Sequence, residues 1–249
     1  MGMMNMDLFS LIIDEAVSNG TKSITMASTG EPTLNPHFPK MLDYVGRKVF
    51  EVKYNTNAIR LRDEVIHATL RSNIDIVVFS IDTINSETYK HIRGKDKFDT
   101  VVRNIKRFNQ IREASYPSST TTTRIHGVRY QDNIDDDEFF SFWGGLADEV
   151  SIGPCNERWD VYNYSVNSSK SVCEFLDERM YVWWDGKCNP CDPDYKSCLT
   201  VGVVSPSKTL KAIWNGPLYT NLRLMHREGR RQDIFPCSQC PVGEKALMT

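Results

Sequence analysis

Residues 74–108 read "IDIVVFSIDTINSETYKHIRGKDKFDTVVRNIKRF", and the periodicity changes within them. The run "IVVF" (Ile76 to Phe79) is continuously apolar, the pattern of a buried strand in a parallel sheet. The two stretches that follow, "NSETYKHIRG" and "FDTVVRNIKRFNQIRE", have the spacing of helices. A strand followed by helices is half of a βα unit, and the rest of the chain is read against it.

The same grammar extends both ways. In "DLFSLIIDEAVSNG" Leu8, Leu11, Ile12 and Ala16 share a helical face and Gly20 stops the helix. The strand-like "SITMAS" follows, then a helix near Phe38 to Lys48, a strand "FEVKYN" and a helix from about Leu61 to Arg71. Beyond residue 115 come a β-rich "TTTTRIHGVRY", a helix "DDDEFFSFWGGL" and a strand "DEVSIG". Strand centres near residues 25, 52, 78, 125 and 150, separated by helices, predict an α/β fold with a parallel sheet. Periodicity does not say whether that sheet is open or curls into a barrel. The series opens on a helix with no strand before it, so a first βα unit is expected to be missing from this sequence.

After Gly153 the pattern breaks. Residues 154–170 are polar, aromatic and aperiodic, as in a linker. From 171 to 249 the pieces are short. "MYVWWDGK" reads as a hairpin strand with an Asp-Gly turn, and "LKAIWNGPLYTNLRLMHREG" as a helical region broken near Gly216-Pro217. So few apolar residues in about 80 call for a staple. The expected organisation is therefore 1–153, a linker 154–170, and a small α+β extension 171–249.

Composition removes several function classes. A net charge of −2 with pI about 6.2 gives no electrostatic reason to expect nucleic acid or an anionic membrane as a partner. The basic "HREGRR" (His226 to Arg231) reads as a solvated helix end. No apolar run approaches the roughly 20 residues that span a bilayer, and "MGMMNMDLF" lacks the regions of a signal peptide. A cytoplasmic location is the expectation. The five histidines are scattered and make no His-x-x-x-His pair, and there is no Gly-x-Ser-x-Gly elbow. "NIDDDEFF" leads an apolar helix, where first-turn acids complement the helix dipole.

The cysteines are lopsided. None precedes Cys155, and Cys173, Cys188, Cys191, Cys198, Cys237 and Cys240 crowd the last third. In a reducing compartment such a cluster points to metal or redox chemistry more than to structural disulfides. Cys237-Ser-Gln-Cys240 alone is compatible with a redox pair, a zinc clamp or an iron–sulfur ligand pair. Cys155 reads as a buried or bridging cysteine. Three strand ends also carry small polar or acidic residues: Gly30-Glu31 in "ASTGEPTLNP", Asn57 after "FEVKYNT", and Ser80 and Asp82 after "IVVF". Each singly suits a turn or a helix cap. Three on one sheet edge suggest a polar ligand lying across it.

These stretches resemble, in order, the radical S-adenosylmethionine (radical SAM) enzymes. "SITMASTGEPTLNPHF" resembles a strand with the family's Gly-Gly-Glu-Pro loop, with Thr29 in place of the first Gly; "YNTNA" resembles its Thr-Asn-Gly, with Ala58 in place of Gly. Residues 77–108 resemble the next strand and its helices. The resemblance implies a partial parallel (βα) barrel, with Gly30 and Glu31 holding the amino group of S-adenosylmethionine. It places Ser80 near the ribose or carboxylate, Asn57 and Asp82 around the pocket, and Arg93 toward the carboxylate. The tail from Cys173 resembles a SPASM or twitch-type extension, which implies that Cys173, Cys191, Cys237 and Cys240 ligate an auxiliary [4Fe–4S] cluster. Cys188 and Cys198 fall outside that set.

The family's chemistry implies reductive cleavage of S-adenosylmethionine to a 5′-deoxyadenosyl radical. That radical takes hydrogen from a substrate, here a peptide or protein in first place and a small metabolite in second. An electron donor such as flavodoxin or ferredoxin is implied as well. The reaction needs a Cys-x-x-x-Cys-x-x-Cys loop for a second cluster, and no such motif occurs in the sequence: Trp184 and Asp233 stand where its first cysteine would. The alternative expectation is a non-catalytic iron–sulfur or zinc module without the SAM-cleaving cluster.

Overall fold

The computed structural model describes residues 2–27, 29–130, 134–155, 161–163 and 170–241. Most of the expected linker 154–170 lies outside them, as does the tail beyond 241. The chain divides into two compact units, Gly20–Cys155 and the paired segments Met1–Asn19 and Asn156–Thr249.

In the unit Gly20–Cys155 the five expected strands are present: β1 (Ser23–Met26), β2 (Glu51–Thr56), β3 (Ile76–Ser80), β4 (Thr122–Arg129) and β5 (Glu149–Pro154). They form one parallel sheet in the order β1-β2-β3-β4-β5. Each strand pairs with the next in sequence, so every crossover steps the same way and the helices gather on one face, as in a (βα) barrel. These are α2 (Phe38–Val45), α3 (Asp63–Arg71), α4 (Ser86–Arg93), α5 (Phe98–Ser115) and α6 (Asp136–Gly144).

The register sorts the side chains. Tyr54, Val77 and Thr123 lie opposite one another, as do Thr56, Phe79 and Ile125, and all six are buried. On this face Phe38 of α2 meets Tyr54 edge-on at 5.2 Å, Phe108 of α5 meets Phe79 at 6.0 Å, and the Tyr54 hydroxyl bonds Thr69 of α3 at 2.9 Å. A Cβ on Gly127 would lie 2.8 Å from the Phe139 ring, so only glycine lets α6 approach β4 this closely. Trp143 is fully buried beside Phe98 and Phe142 and donates its indole N–H to the Thr83 carbonyl. The opposite face differs in kind. It carries Lys53, Asn55, Ser80, Arg124, His126 and Ser151, none of them buried.

The second unit has a small three-stranded antiparallel sheet of β6 (Tyr181–Val182), β7 (Lys187–Asn189) and β8 (Gly202–Val203), with the Asp185-Gly186 turn between β6 and β7. Beside it in the sequence lie α7 (Phe175–Glu178), α8 (Leu210–Trp214) and α9 (Pro217–Arg227). Pro217 in the first turn of α9, where a missing N–H costs nothing, explains the break seen in sequence. The core is small: Leu176, Cys188, Val201, Ile213, Tyr219 and Leu222 are among its buried members. α1 (Met6–Ser18) belongs to this unit, packing Leu8, Leu11 and Ile12 on that core. The Glu15 carboxylate accepts the Leu210 N–H at the start of α8.

Because Phe108 anchors α5 on the fully buried Phe79, Phe108→Ala is expected to cost about 3–5 kcal/mol of unfolding free energy. Urea denaturation followed by circular dichroism measures it.

Candidate functional site

At the C-terminal edge of the parallel sheet, the loop after β1 turns at Gly30, whose φ is +127°. A Cβ there would meet no atom within 4 Å, so the demand for glycine is conformational. The turn delivers Glu31 to the end of β2. Its Oε1 accepts from Thr56 Oγ1 (2.7 Å), Thr33 Oγ1 (2.6 Å) and the Thr33 N–H (3.1 Å); its Oε2 accepts from the Asn57 N–H (2.7 Å). A carboxylate offers about two lone pairs per oxygen, so Oε1 is saturated and Oε2 can take one more donor. Asn57 Oδ1 accepts from the Ile59 N–H, bridging Ala58 at φ +58°. Gly30, Glu31 and Asn57 are thus brought together on one rim.

The end of β3 is organised separately. Asp82 Oδ1 accepts the Val128 N–H of β4 (3.0 Å), and its Oδ2 pairs with Arg93 of α4. Arg93 also donates to the Ser80 carbonyl (3.3 Å). Asp82 therefore joins two strands to the end of a helix. Ser80 lies opposite His126, and His126 opposite Ser151, on the helix-free face. The Ser151 hydroxyl lies 2.9 Å from His126 Nδ1 and also reaches the Ile125 carbonyl (3.4 Å). His126 escapes motif reading because it pairs with no other histidine; only its place in the strand alternation, between buried Ile125 and Gly127, marks it.

Burial holds the His126 imidazole below its usual pKa, against the opposing charge of Asp82 and with a smaller push from Arg124. A histidine whose folded pKa is depressed resists protonation in the native state, so its stabilisation is lost as pH falls below the ordinary value of about 6.5. His126→Gln is expected to lose less stability between pH 7 and pH 5 than the natural chain does. Parallel urea titrations at the two pH values test this.

In the second unit Cys173, Cys191, Cys237 and Cys240 line a single cavity, together with His226 and Arg231. No disulfide joins any of the seven cysteines. Burial raises the Cys173 thiol, raises Cys191 well above its ordinary value, and takes Cys237 up to about 12. Each also feels the charge of another member: Cys173 that of Cys240, Cys191 that of Cys237, and Cys237 that of Cys240. Desolvated thiols that also feel a neighbouring thiolate stay protonated unless positive charge compensates them. The four cysteines line one cavity without converging on a point: among the described residues no three His, Cys, Asp or Glu side chains form a group that could hold a single metal ion.

Two members of the "HREGRR" cluster correct the sequence expectation. Arg227, Glu228 and Arg230 are solvated, but His226 and Arg231 are each only 1% exposed. Arg231 donates to the carbonyls of Cys237 (3.1 Å) and Cys240 (2.7 Å) and to Ser171 Oγ (3.3 Å), latching both ends of the Cys-x-x-Cys turn. His226 Nδ1 accepts the Cys173 N–H (3.4 Å). The missed signal is helical phase, since His226 falls four residues after the buried Leu222. Cys155, expected to be buried or bridging, is exposed and free, one residue past the end of β5. Cys188 is buried in the apolar core and Cys198 is exposed, so neither joins the set of four.

Comparison with known proteins agrees with this geometry. Residues 3–142 match the radical SAM superfamily, and residues 173–241 match an iron–sulfur cluster-binding domain known as SPASM. Mycofactocin maturase MftC of Mycolicibacterium smegmatis is 32% identical over 138 residues, covering 54% of this chain and 33% of the maturase. A tungsten-containing aldehyde ferredoxin oxidoreductase cofactor-modifying protein of Pyrococcus furiosus is 34% identical over 96 residues, 36% of this chain and 27% of that protein. The chain thus spans a third or less of the length of these two relatives. Among solved structures, BtrN in complex with AdoMet and 2-DOIA superposes with a TM-score of 0.62 at 16% identity, covering 97% of this chain and 81% of BtrN. SuiB of Streptococcus suis bound to precursor peptide SuiA gives 0.63 at 17% identity, covering 87% of this chain and 59% of SuiB. These two likenesses show the fold. With its family match covering more than half of its length, the chain belongs to the radical SAM superfamily.

Proposed function

We propose that this chain binds S-adenosylmethionine at the rim of its parallel sheet and an auxiliary [4Fe–4S] cluster in its C-terminal unit, as part of an enzyme that modifies a peptide or protein. The observation that carries the reading is the convergence of Cys173, Cys191, Cys237 and Cys240 on one buried cavity within the residues that match a cluster-binding domain. The donor set fits: four thiols line one cavity, and burial raises three of them, Cys173, Cys191 and Cys237, each of which also feels a neighbouring sulfur's charge, so that as thiolates they call for a cationic inorganic partner. Tetrathiolate sites hold either zinc or an iron–sulfur cluster, and the match to a cluster-binding domain over residues 173–241 favours the cluster. Buried Arg231 adds positive charge beside the sulfurs.

At the rim, Glu31 Oε2 has capacity for an ammonium N–H, and Gly30 leaves the approach open. Asn57 and Ser80 offer further polar groups, while Asp82 holds the β3 end and Arg93 in place. In the superfamily, S-adenosylmethionine supplies a 5′-deoxyadenosyl radical when it is cleaved reductively. The residues of this chain bind and orient it. Its sequence holds no Cys-x-x-x-Cys-x-x-Cys, which favours, as the second reading, a cluster-binding module that does not itself cleave the cofactor. A peptidyl substrate leads because mycofactocin maturase is a relative and SuiB is solved with a precursor peptide. A flavodoxin- or ferredoxin-type donor and a cytoplasmic setting complete the proposal, and no helix among the described residues is long and apolar enough to cross a membrane.

Anaerobic reconstitution with iron and sulfide is expected to give about four irons per chain and a brown protein, with cluster loading lost in Cys173→Ala and Cys237→Ala. A colourless protein that retains zinc overturns the cluster assignment. For the rim, Glu31→Gln is expected to weaken S-adenosylmethionine binding about tenfold, about 1.4 kcal/mol, in equilibrium dialysis, with a melting curve run beside it to verify folding. Equal affinity in a folded variant removes Glu31 from the site.

A further inference from the structure

His226 is buried to 99% of its surface and lines the cavity of the four cysteines. Its two nitrogens have distinct situations. Nδ1 accepts a hydrogen bond from the Cys173 backbone N–H, so that nitrogen carries a lone pair and the ring proton is on Nε2. Nε2 is buried and has no hydrogen-bond partner among the described residues. A buried donor left unsatisfied costs about 1–3 kcal/mol, and most buried polar groups find an acceptor. The lining around it offers few. Apart from the thiols and Arg231, which only donates, the walls are apolar side chains such as Val161, Leu176, Leu199 and Pro236. A trapped water would need two to four polar partners there.

From this we infer that His226 donates its Nε2–H to a sulfur of the auxiliary cluster and so sets the cluster's reduction potential. The inference rests on the cluster reading proposed above. An N–H···S bond draws electron density from the sulfur and stabilises the reduced, more negative state, which raises the potential. Ligation by the same nitrogen is disfavoured. Nε2 would have to give up its proton while Nδ1 still faces the Cys173 N–H, leaving an imidazolate. His226 is thus a positioning residue, tied at Nδ1 to the backbone of one ligand and lining the cavity of the sulfurs with an unpartnered Nε2–H.

The test uses the full 249-residue chain, reconstituted anaerobically with iron and sulfide, whose counts verify loading. In EPR-monitored redox titration, His226→Phe is expected to make cluster reduction about tenfold less favourable, a midpoint about 59 mV lower. His226→Gln keeps an N–H donor and is expected to recover most of the difference. An unchanged midpoint in a fully loaded His226→Phe chain overturns the inference. Because the Phe variant can fail to load, the natural chain labelled with ¹⁵N-histidine is examined in the reduced state by pulsed EPR. A weak coupling from one histidine nitrogen is expected; no coupling, or the strong coupling of a coordinated nitrogen, overturns the proposal. A natural chain that binds no iron sinks the cluster reading itself, an outcome distinct from a loaded chain without histidine coupling.

Discussion

A sheet wound in a single direction leaves one of its faces without helices, and the larger unit is organised by that constraint. Because β1 to β5 run parallel and in sequence order, the apolar side chains of one register set bury under α2, α3, α5 and α6. The other set is released from the core. It carries Lys53, Asn55, Ser80, Arg124, His126 and Ser151, residues that a doubly covered parallel sheet would exclude. The same geometry places the loops after β1, β2 and β3 on one edge, where ligands of parallel α/β proteins collect. Glu31 then does two jobs with one carboxylate: Oε1 stitches the β1 loop to β2, and Oε2 keeps capacity for a guest.

The C-terminal unit solves a different problem. Its short strands and helices enclose few apolar residues, and α1 must add Leu8, Leu11 and Ile12 to make a core at all. What remains is a cavity lined by four sulfurs, of which the thiols of Cys173, Cys191 and Cys237 are driven toward protonation by burial. Were the thiolates gathered on the proposed cluster, binding free energy would become folding free energy, the staple that the shortage of apolar residues calls for. Arg231, by holding the Cys237 and Cys240 carbonyls, would preorganise such a site.

Much of the fold could be read from the sequence because it rests on local periodicity. The run "IVVF", the helix spacing of residues 98–108 and the break at Gly216-Pro217 each have a physical cause within a few residues. The rim residues Gly30, Glu31 and Asn57 were legible for the same reason, as endings of recognisable strands. His126, His226 and Arg231 were not. Their importance comes from burial and from partners 25, 53 and up to 60 residues away in the chain. A basic run such as "HREGRR" looks solvated until helical phase and a cavity select two of its members. The allegiance of α1 was hidden too, since an amphipathic face does not say which core it will join.

The two sites, taken separately, follow opposite electrostatic logic. The rim presents acceptors, the Glu31 carboxylate foremost, to a ligand whose proposed contact is an ammonium. The cavity presents donors and positive charge, Arg231 and the Nε2–H of His226, to the proposed cluster, which is net negative once its four thiolate ligands are counted. A buried guanidinium and an unsatisfied imidazole N–H are each destabilising in an apolar cavity, and here they occur together around four thiols. That combination is costly as a structural core and favourable as a receptor for sulfide and thiolate. It lies where the fold encloses few apolar residues, so the proposed cluster, more than the apolar walls, would hold the C-terminal unit together.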